Sequence, residues 1–347
     1  MSLDDKKKAL IDLSQFLQNH INEVKNNSEI DLHHKLNEAI ELSQQHNAWF
    51  TKSFIYKSLN NWSKALNEDG LTSWFSSYDV ESLNLNTKTI AIICAGNIPL
   101  VGFHDCLCGL ITGHNLIIKY SSKDQFLLRF MVDFLINTGA FSSQVKFTDG
   151  QLNNFDAVIA TGSNNTSRYF EYYFRNKASI IRKNRNSAAV ITGEETSTEL
   201  QQLGHDVFSY FGLGCRNVSK LYVPKNYDFK HFFESIYPFS DVINHHKYAN
   251  NYDYNKAVYL MSDIKLFDNN FLILKHDTGL SSPIACLFYE YYSDKNQLIE
   301  ELTQKESQLQ CVVGNTTSCN VKFGETQCPE LWDYADGIDT MNFLLNL

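Results

Sequence analysis

The sequence predicts an α/β fold: a helical opening, then two domains, each built on a mainly parallel sheet with helices on both faces. Three observations predict it. From Thr89 onward short apolar runs alternate with helical stretches, which is the pattern of parallel strands joined by crossover helices. Those runs are continuous in Ile, Leu and Val, as strands covered on both faces require. Before Thr89, apolar residues instead recur at spacings of three and four, which lines one face of a helix. A chain of 347 residues suits two such domains.

The elements follow in order. Leu10, Leu13, Leu17, Ile21 and Val24 mark a first helix, and Leu32, Leu36 and Ile40 a second. Ile55, Leu59, Trp62 and Leu66 mark a third, with Gly70 as its expected C-terminal cap. TIAIICAG reads as a buried strand and PLVGFHDCLCGLITG as a helix ending at Gly113. NLIIKYS is a second strand, KDQFLLRFMVDFLINTG a second helix of this series, and VKFTDG and FDAVIATG two further strands. NNTSRYFEYYFRN is helical. After AAVITG, a helix (STELQQLGHDVFSYFG) leads to Cys215. KLYVP, FLILKHD, IACLFYEYY, LQCVVG and NVKFG then read as strands, with helices near 228–236, 246–262 and 296–304. The expected division is 1–190 for the helices and the first domain, 191–322 for the second, and 323–347 for a returning segment.

Composition narrows the function. The net charge of -9 and pI near 5.7 argue against nucleic acid as the main partner, because phosphate backbones need a basic surface. A local pocket can still bind a small phosphate-bearing molecule. The N-terminus is charged and amphipathic without an apolar signal core, and no run of about 20 apolar residues occurs. These features predict a cytoplasmic protein with reduced thiols. The eight cysteines include no C-x-x-C. The C-x-C of Cys106 and Cys108 has no partner pair at a zinc spacing, and adjacent His245 and His246 point apart on a helix, so no metal is expected.

Most of these cysteines sit in apolar runs, where the residue serves as a small core filler. Cys215 in FGLGCRN differs. Glycines precede it, giving its side chain room, and Arg216 follows it, favouring the nucleophilic thiolate. Three strand ends carry polar turns, where ligands of open parallel sheets bind. Asn97 lies in AGNIP, with Pro99 near a first helical position. Lys119, Ser121 and Ser122 lie in IIKYSSKD, where a lysine can reach ribose hydroxyls or phosphate. Gly162 and Ser163 open a helix in ATGSNNTSR, an anion-binding end. Each turn can equally be a helix cap. The G-x-G-x-x-G fingerprint is absent.

With these positions in hand, the chain resembles the aldehyde dehydrogenase superfamily, and within it the acyl-CoA reductases of the bacterial luminescence type. The family's N-F-P turn, K-P-S-E strand end and G-S turn are similar to Asn97-Ile98-Pro99, Lys119-Tyr120-Ser121-Ser122 and Gly162-Ser163, in the same order. Cys215 falls at the family's nucleophile, and FGETQCPELWDYADG resembles its C-terminal return. The match spans roughly 88–340. It implies an aldehyde-dehydrogenase-like fold of two Rossmann-like three-layer α/β/α domains.

Two departures shape the implied activity. Aldehyde oxidisers carry a glutamate, in an E-L-G-G segment, that activates water. Here that place falls near Arg182, with no carboxylate until Glu194. An acyl-enzyme without that base survives to meet hydride or CoA, which implies thioester reduction. Ser122 replaces the acidic residue of K-P-S-E, which favours NADPH over NADH. The glutamate that holds the nicotinamide ribose is also missing, around Gly279 to Pro283, and its replacement stays open.

The resemblance therefore implies NADPH-dependent reduction of a fatty acyl-CoA or acyl-protein thioester to aldehyde through acyl-Cys215, with the Asn97 amide on the oxyanion. It also implies an acyl-transferring partner enzyme and a possible homo-oligomer. Aldehyde oxidation, acyl-phosphate reduction, a Cys–His hydrolase and a degenerate nucleotide-binding protein are the alternatives. Acyl chain length is left open.

Overall fold

Ser2 opens the first helix, α1 (Leu3–Ile21), with a capping box: its hydroxyl accepts from the Asp5 N–H, and the Asp5 carboxylate accepts from the Ser2 N–H. The computed structural model describes residues 2–24, 29–79 and 87–347. α1 buries Leu10, Leu13 and Leu17 but ends at Ile21, so Val24 lies beyond it and half exposed. α2 (Ile30–His46) buries Leu36 and Ile40, and α3 (Lys52–Ala65) buries Ile55 and Leu59. The third helix stops earlier than its periodicity predicts. Asn67 starts a new helix, α4 (Glu68–Ser76), by accepting from the Gly70 N–H at 2.8 Å, so Gly70 sits in a first turn rather than at a C-cap.

The alternation then begins: β1 (Thr89–Ile93), α5 (Phe103–Ile111), β2 (Asn115–Lys119), α6 (Phe126–Asn137), β3 (Val145–Thr148), β4 (Ala157–Thr161), α7 (Asn164–Tyr173) and β5 (Ala178–Arg182). The five strands form one wholly parallel sheet in the order β3-β2-β1-β4-β5. Two elements differ from expectation. α5 starts at Phe103, after a turn that contains Pro99, and β5 is a strand that its polar, charged segment concealed.

A second sheet follows, with β6 (Asn186–Val190), α8 (Ser197–Phe208), β7 (Val218–Pro224), α9 (Phe229–Ile236), α10 (His246–Met261), β8 (Leu266–Asp268), β9 (Ile273–His276), β10 (Cys286–Tyr292), α11 (Lys295–Gln304) and β11 (Leu309–Val313). Its order is β11-β6-β7-β10-β9-β8, parallel except for the β8–β9 pair. The segment NVKFG forms only a single bridge, Val321 to Val313. The chain ends in α12 (Thr340–Leu345).

Two units result: Met1–Lys183 with Pro329–Leu347, and Asn184–Cys328. These bounds differ from the expected 190/191 and 322/323. β6 pairs with β7 and β11, so it belongs to the second sheet. The Gly324–Thr326 turn stays with the second unit because the buried Asp206 carboxylate on α8 accepts from the Gly324 N–H (2.7 Å), the Thr326 N–H (3.1 Å) and the Thr326 hydroxyl (2.8 Å). The first unit's core runs from Leu10 and Phe16 through Ile90, Phe103 and Leu128 to Met341 and Leu344. The second packs Leu200, Leu221, Phe232, Leu274 and Leu287.

Candidate active site

In the first unit every strand runs the same way, so the carboxyl ends share one edge. The strand order reverses between β1 and β4, and such a reversal opens a crevice where ligands bind. Asn97 lies in the turn after β1, and Gly162 and Ser163 in the turn after β4, so these two turns flank that crevice. Lys119, Ser121 and Ser122 lie at the end of the neighbouring β2. The fold thus gathers all six residues on one edge of one sheet.

The β1 turn is held tightly. Leu100 adopts φ 61, a left-handed conformation that costs a non-glycine residue about 1–2 kcal/mol. The Ser58 hydroxyl from α3 donates to the Pro99 carbonyl at 3.0 Å, and the Asp124 carboxylate accepts from the Leu100 N–H at 2.6 Å. Asp124 is 2% exposed; burial pushes its carboxyl up to about 7, against the pull of the Leu100 and Leu128 N–H groups. A Cβ on Gly96 would lie 2.4 Å from the Ser121 hydroxyl, so a glycine there lets the β1 and β2 turns touch.

The other predicted binding residues already have local partners. The Lys119 ammonium donates to the Gly150 carbonyl at 2.8 Å. The Ser121 hydroxyl accepts from the Lys123 N–H at 3.3 Å, and Ser122 is exposed. Ser163 caps α7 by accepting from the Thr166 N–H at 3.2 Å, and the Gly162 N–H donates to the Arg182 carbonyl at 3.4 Å.

Arg182, at the end of β5, is 4% exposed. Its guanidinium pairs with the buried Asp105 carboxylate of α5 and donates to the Thr340 hydroxyl at 2.8 Å. The position therefore presents a committed cation rather than a base. Glu195, the nearest buried carboxylate in sequence, lies in the second unit and accepts from the Thr192 N–H at 2.6 Å and the Gly193 N–H at 3.0 Å.

In the second unit, Cys215 sits in the loop between α8 and β7. Tyr210, Phe211 and Gly212 are successively left-handed, with φ 52, 56 and 76, so the chain breaks sharply before the cysteine. The Ser187 hydroxyl of β6 donates to the Cys215 carbonyl at 2.9 Å and accepts from the Cys311 N–H at 3.1 Å. The buried Asn217 amide donates to the carbonyls of Asp206 (2.9 Å) and Ser209 (2.8 Å), while its oxygen accepts from the Gly214 N–H (2.8 Å). The Arg216 guanidinium donates to the Thr326 carbonyl. Arg216 is thus tied to the returning turn.

Exposure separates Cys215 from most of its fellows. Cys94, Cys106, Cys108, Cys286 and Cys311 are buried, whereas Cys215 is partly exposed. A hydrogen bond to Cys94 and then burial push the Cys106 thiol well up; burial alone leads for Cys108, and for Cys286, which reaches about 12. His104 is half-buried, desolvation lowers its pKa, and its Nε2 meets the Leu331 carbonyl at 2.8 Å. The His245 ring packs on Phe211 with centroids 4.3 Å apart. Among the described residues no group of three His, Cys, Asp or Glu could hold a metal, and no helix is long and apolar enough to cross a membrane.

Sequence reasoning missed Asp124, Ser58, Ser187, Asn217 and Lys220. Lys220 on β7 is fully buried; its ammonium donates to the Asp277 carbonyl and pairs with Glu290 at 2.9 Å, which helps to hold the loop after β9. Ser219 donates to the Leu280 carbonyl of that loop at 2.7 Å. None of them stood out in the sequence: even Asp124, two residues before an apolar helix, reads as an ordinary helix-start carboxylate.

No family model matches this sequence, and no curated protein matches it. Solved structures do. Aldehyde dehydrogenase 21 from Physcomitrella patens, solved with the reaction product succinate, matches at TM-score 0.66 and 11% identity over 100% of this chain and 84% of that one. The indole-3-acetaldehyde dehydrogenase AldA of P. syringae, a variant solved with NAD+ and IAA, matches at TM-score 0.63 and 11% identity over 92% and 74%. An aldehyde dehydrogenase from Bacillus cereus in complex with NAD+ matches at TM-score 0.60 and 10% identity over 91% and 72%. The chain has the aldehyde-dehydrogenase-like α/β fold, with two sheets and N-terminal helices.

Proposed function

We propose that the chain reduces an acyl thioester, acyl-CoA or acyl-protein, to an aldehyde with NADPH through an acyl-cysteine at Cys215. The observation that carries this is the Cys215 loop: a partly exposed cysteine after a strained left-handed run, its backbone tied down by Ser187, Asn217 and Arg216. Strain persists where the surroundings over-determine it, and functional sites are where it gathers.

The first sheet's edge fits a dinucleotide. Gly96 keeps the junction of two turns clear of a side chain, α7 presents its opening N–H groups, and exposed Ser122 stands where a carboxylate would repel a 2′-phosphate. Lys119, Ser121, Ser122, Gly162 and Ser163 would hold it. NADPH when bound supplies the hydride.

The Cys215 thiolate adds to the thioester carbonyl, forming a C–S bond and placing the electron pair on oxygen. The Cys215 N–H would take that charge, a donor of this kind being worth about 3 kcal/mol. Collapse expels the donor thiolate, which takes a proton from solvent. With the two electrons that NADPH would supply, the acyl carbon would stand at the aldehyde level; breaking its C–S bond would release aldehyde and restore the Cys215 thiolate. The position that resembles the family's water-activating glutamate holds Arg182, a cation already paired with Asp105, and this favours reduction over hydrolysis.

The test incubates the protein with acyl-CoAs of graded length and weighs it intact, then adds NADPH and follows aldehyde. Acylation of the wild type and none in Cys215→Ser is expected. Acyl transfer or aldehyde formation by Cys215→Ser removes the proposal. Aldehyde with NAD+ or NADP+ yielding free acid without CoA would favour oxidation, the activity named for the structurally similar proteins.

A further inference from the structure

We infer that Asp124 is a positioning residue for the cofactor-binding edge of the first unit, its buried carboxylate clamping the turn after β1 onto the turn after β2. The inference rests on the reading of that edge as the NADPH site.

Two contacts meet at Asp124, and a third joins the same two turns beside it. Its carboxylate accepts from the Leu100 N–H at 2.6 Å, which holds the one left-handed residue in the Asn97 turn. Its own N–H donates to the Ser121 carbonyl at 3.0 Å, closing the Lys119–Ser122 turn on itself. That turn in turn presses on Gly96, where no Cβ would fit beside Ser121. Asp124 is therefore the side chain through which the two turns share one conformation.

A buried carboxylate is an expensive way to accept a hydrogen bond, and an apolar side chain would serve packing better. Its place here answers a backbone need: Leu100 N–H points inward because the turn is left-handed there, and that N–H must be satisfied. Ser58 performs the same service for the adjoining Pro99 carbonyl from the other side. Two buried polar side chains from different elements thus fix the shape of one short turn. Neither touches the crevice itself, so Asp124 acts through the backbone that carries Asn97 and Ser121.

The test measures NADPH affinity by nucleotide fluorescence, with the melting temperature of each variant recorded alongside. Asp124→Leu keeps the branched shape, with methyls bulkier than the oxygens, and removes the acceptor; it is expected to weaken NADPH about tenfold or more. Asp124→Asn keeps an acceptor oxygen and is expected to stay within about threefold of the wild type, a rescue that general damage would not give. Wild-type affinity in a folded Asp124→Leu, or equal weakening in Asp124→Asn, overturns the inference and leaves the cofactor site standing. Should Asp124→Leu not fold, Asp124→Leu with Leu100→Gly is read against Leu100→Gly alone: glycine lowers the cost of the left-handed turn without holding it there, so the double variant is still expected to bind NADPH more weakly, and equal affinities overturn the inference. A wild type that binds neither NADPH nor NADH removes the reading of the site and the inference together.

Discussion

Asp124 and Arg182 are both ionisable, almost wholly buried and set at the same edge of the first sheet, yet their surroundings treat them differently. Arg182 keeps its charge because Asp105 faces it. Asp124 meets only backbone N–H groups, so burial raises its pKa from 3.8 to about 7. The folded state therefore holds a proton that the unfolded chain has already lost. The stabilisation from that proton is complete below 3.8 and gone once pH passes about 7. Denaturant unfolding across this window should show stability falling by on the order of a few kcal/mol, a fall that Asp124→Asn lacks. The same slope in both proteins would place the titration elsewhere. None of this was legible in KYSSKDQF, where the aspartate looks like an ordinary helix-start residue. Arg182 was legible as a departure from a resembling family, but its partner Asp105 lies 77 residues away and only folding brings them together.

At the scale of elements, the long apolar runs were readable and the short or polar ones were not. TIAII and AVIAT formed strands because continuous apolar runs can satisfy both faces of a parallel sheet. ASIIR and LFD were hidden: the first is polar at its start and charged at its end, and the second is a three-residue antiparallel edge. The break after α8 was equally hidden, since VFSYFG continues the helical apolar pattern into Tyr210 and Phe211. Asn217 shows what the break requires, for its amide bonds span three backbone groups across it. Asn217→Ala should cost about 2–3 kcal/mol in chemical denaturation and slow acylation of Cys215 at temperatures where the protein remains folded. Unchanged acylation would mean that the loop keeps its form without that side chain.

Across the whole molecule, the chain leaves the first unit at Lys183 and returns to it at Pro329. The returning segment is built into the first unit's interior. Trp74 donates to the Tyr334 hydroxyl at 2.7 Å, Tyr78 donates to Asp339 at 2.8 Å, and Thr340 accepts from Arg182 at 2.8 Å. Leu331, Met341 and Leu344 are 2% exposed or less. Deleting 329–347 should strip hydrogen-exchange protection from α1, α4 and α5 while β6, β7 and β10 keep theirs. Equal loss in both sets would show that the units unfold as one.

The sequence by itself determined the alternation of strands and helices, the helical opening, the polar turns at three strand ends and the cysteine worth watching. Each of these is local, set by side-chain periodicity, turn chemistry or composition within a few residues. Only the tertiary structure decided that β6 belongs to the second sheet, that Arg182 is consumed by Asp105, and that Leu100 needs a buried carboxylate. Those outcomes depend on strand pairing and on which buried polar groups must find partners, and both are settled between segments far apart along the chain.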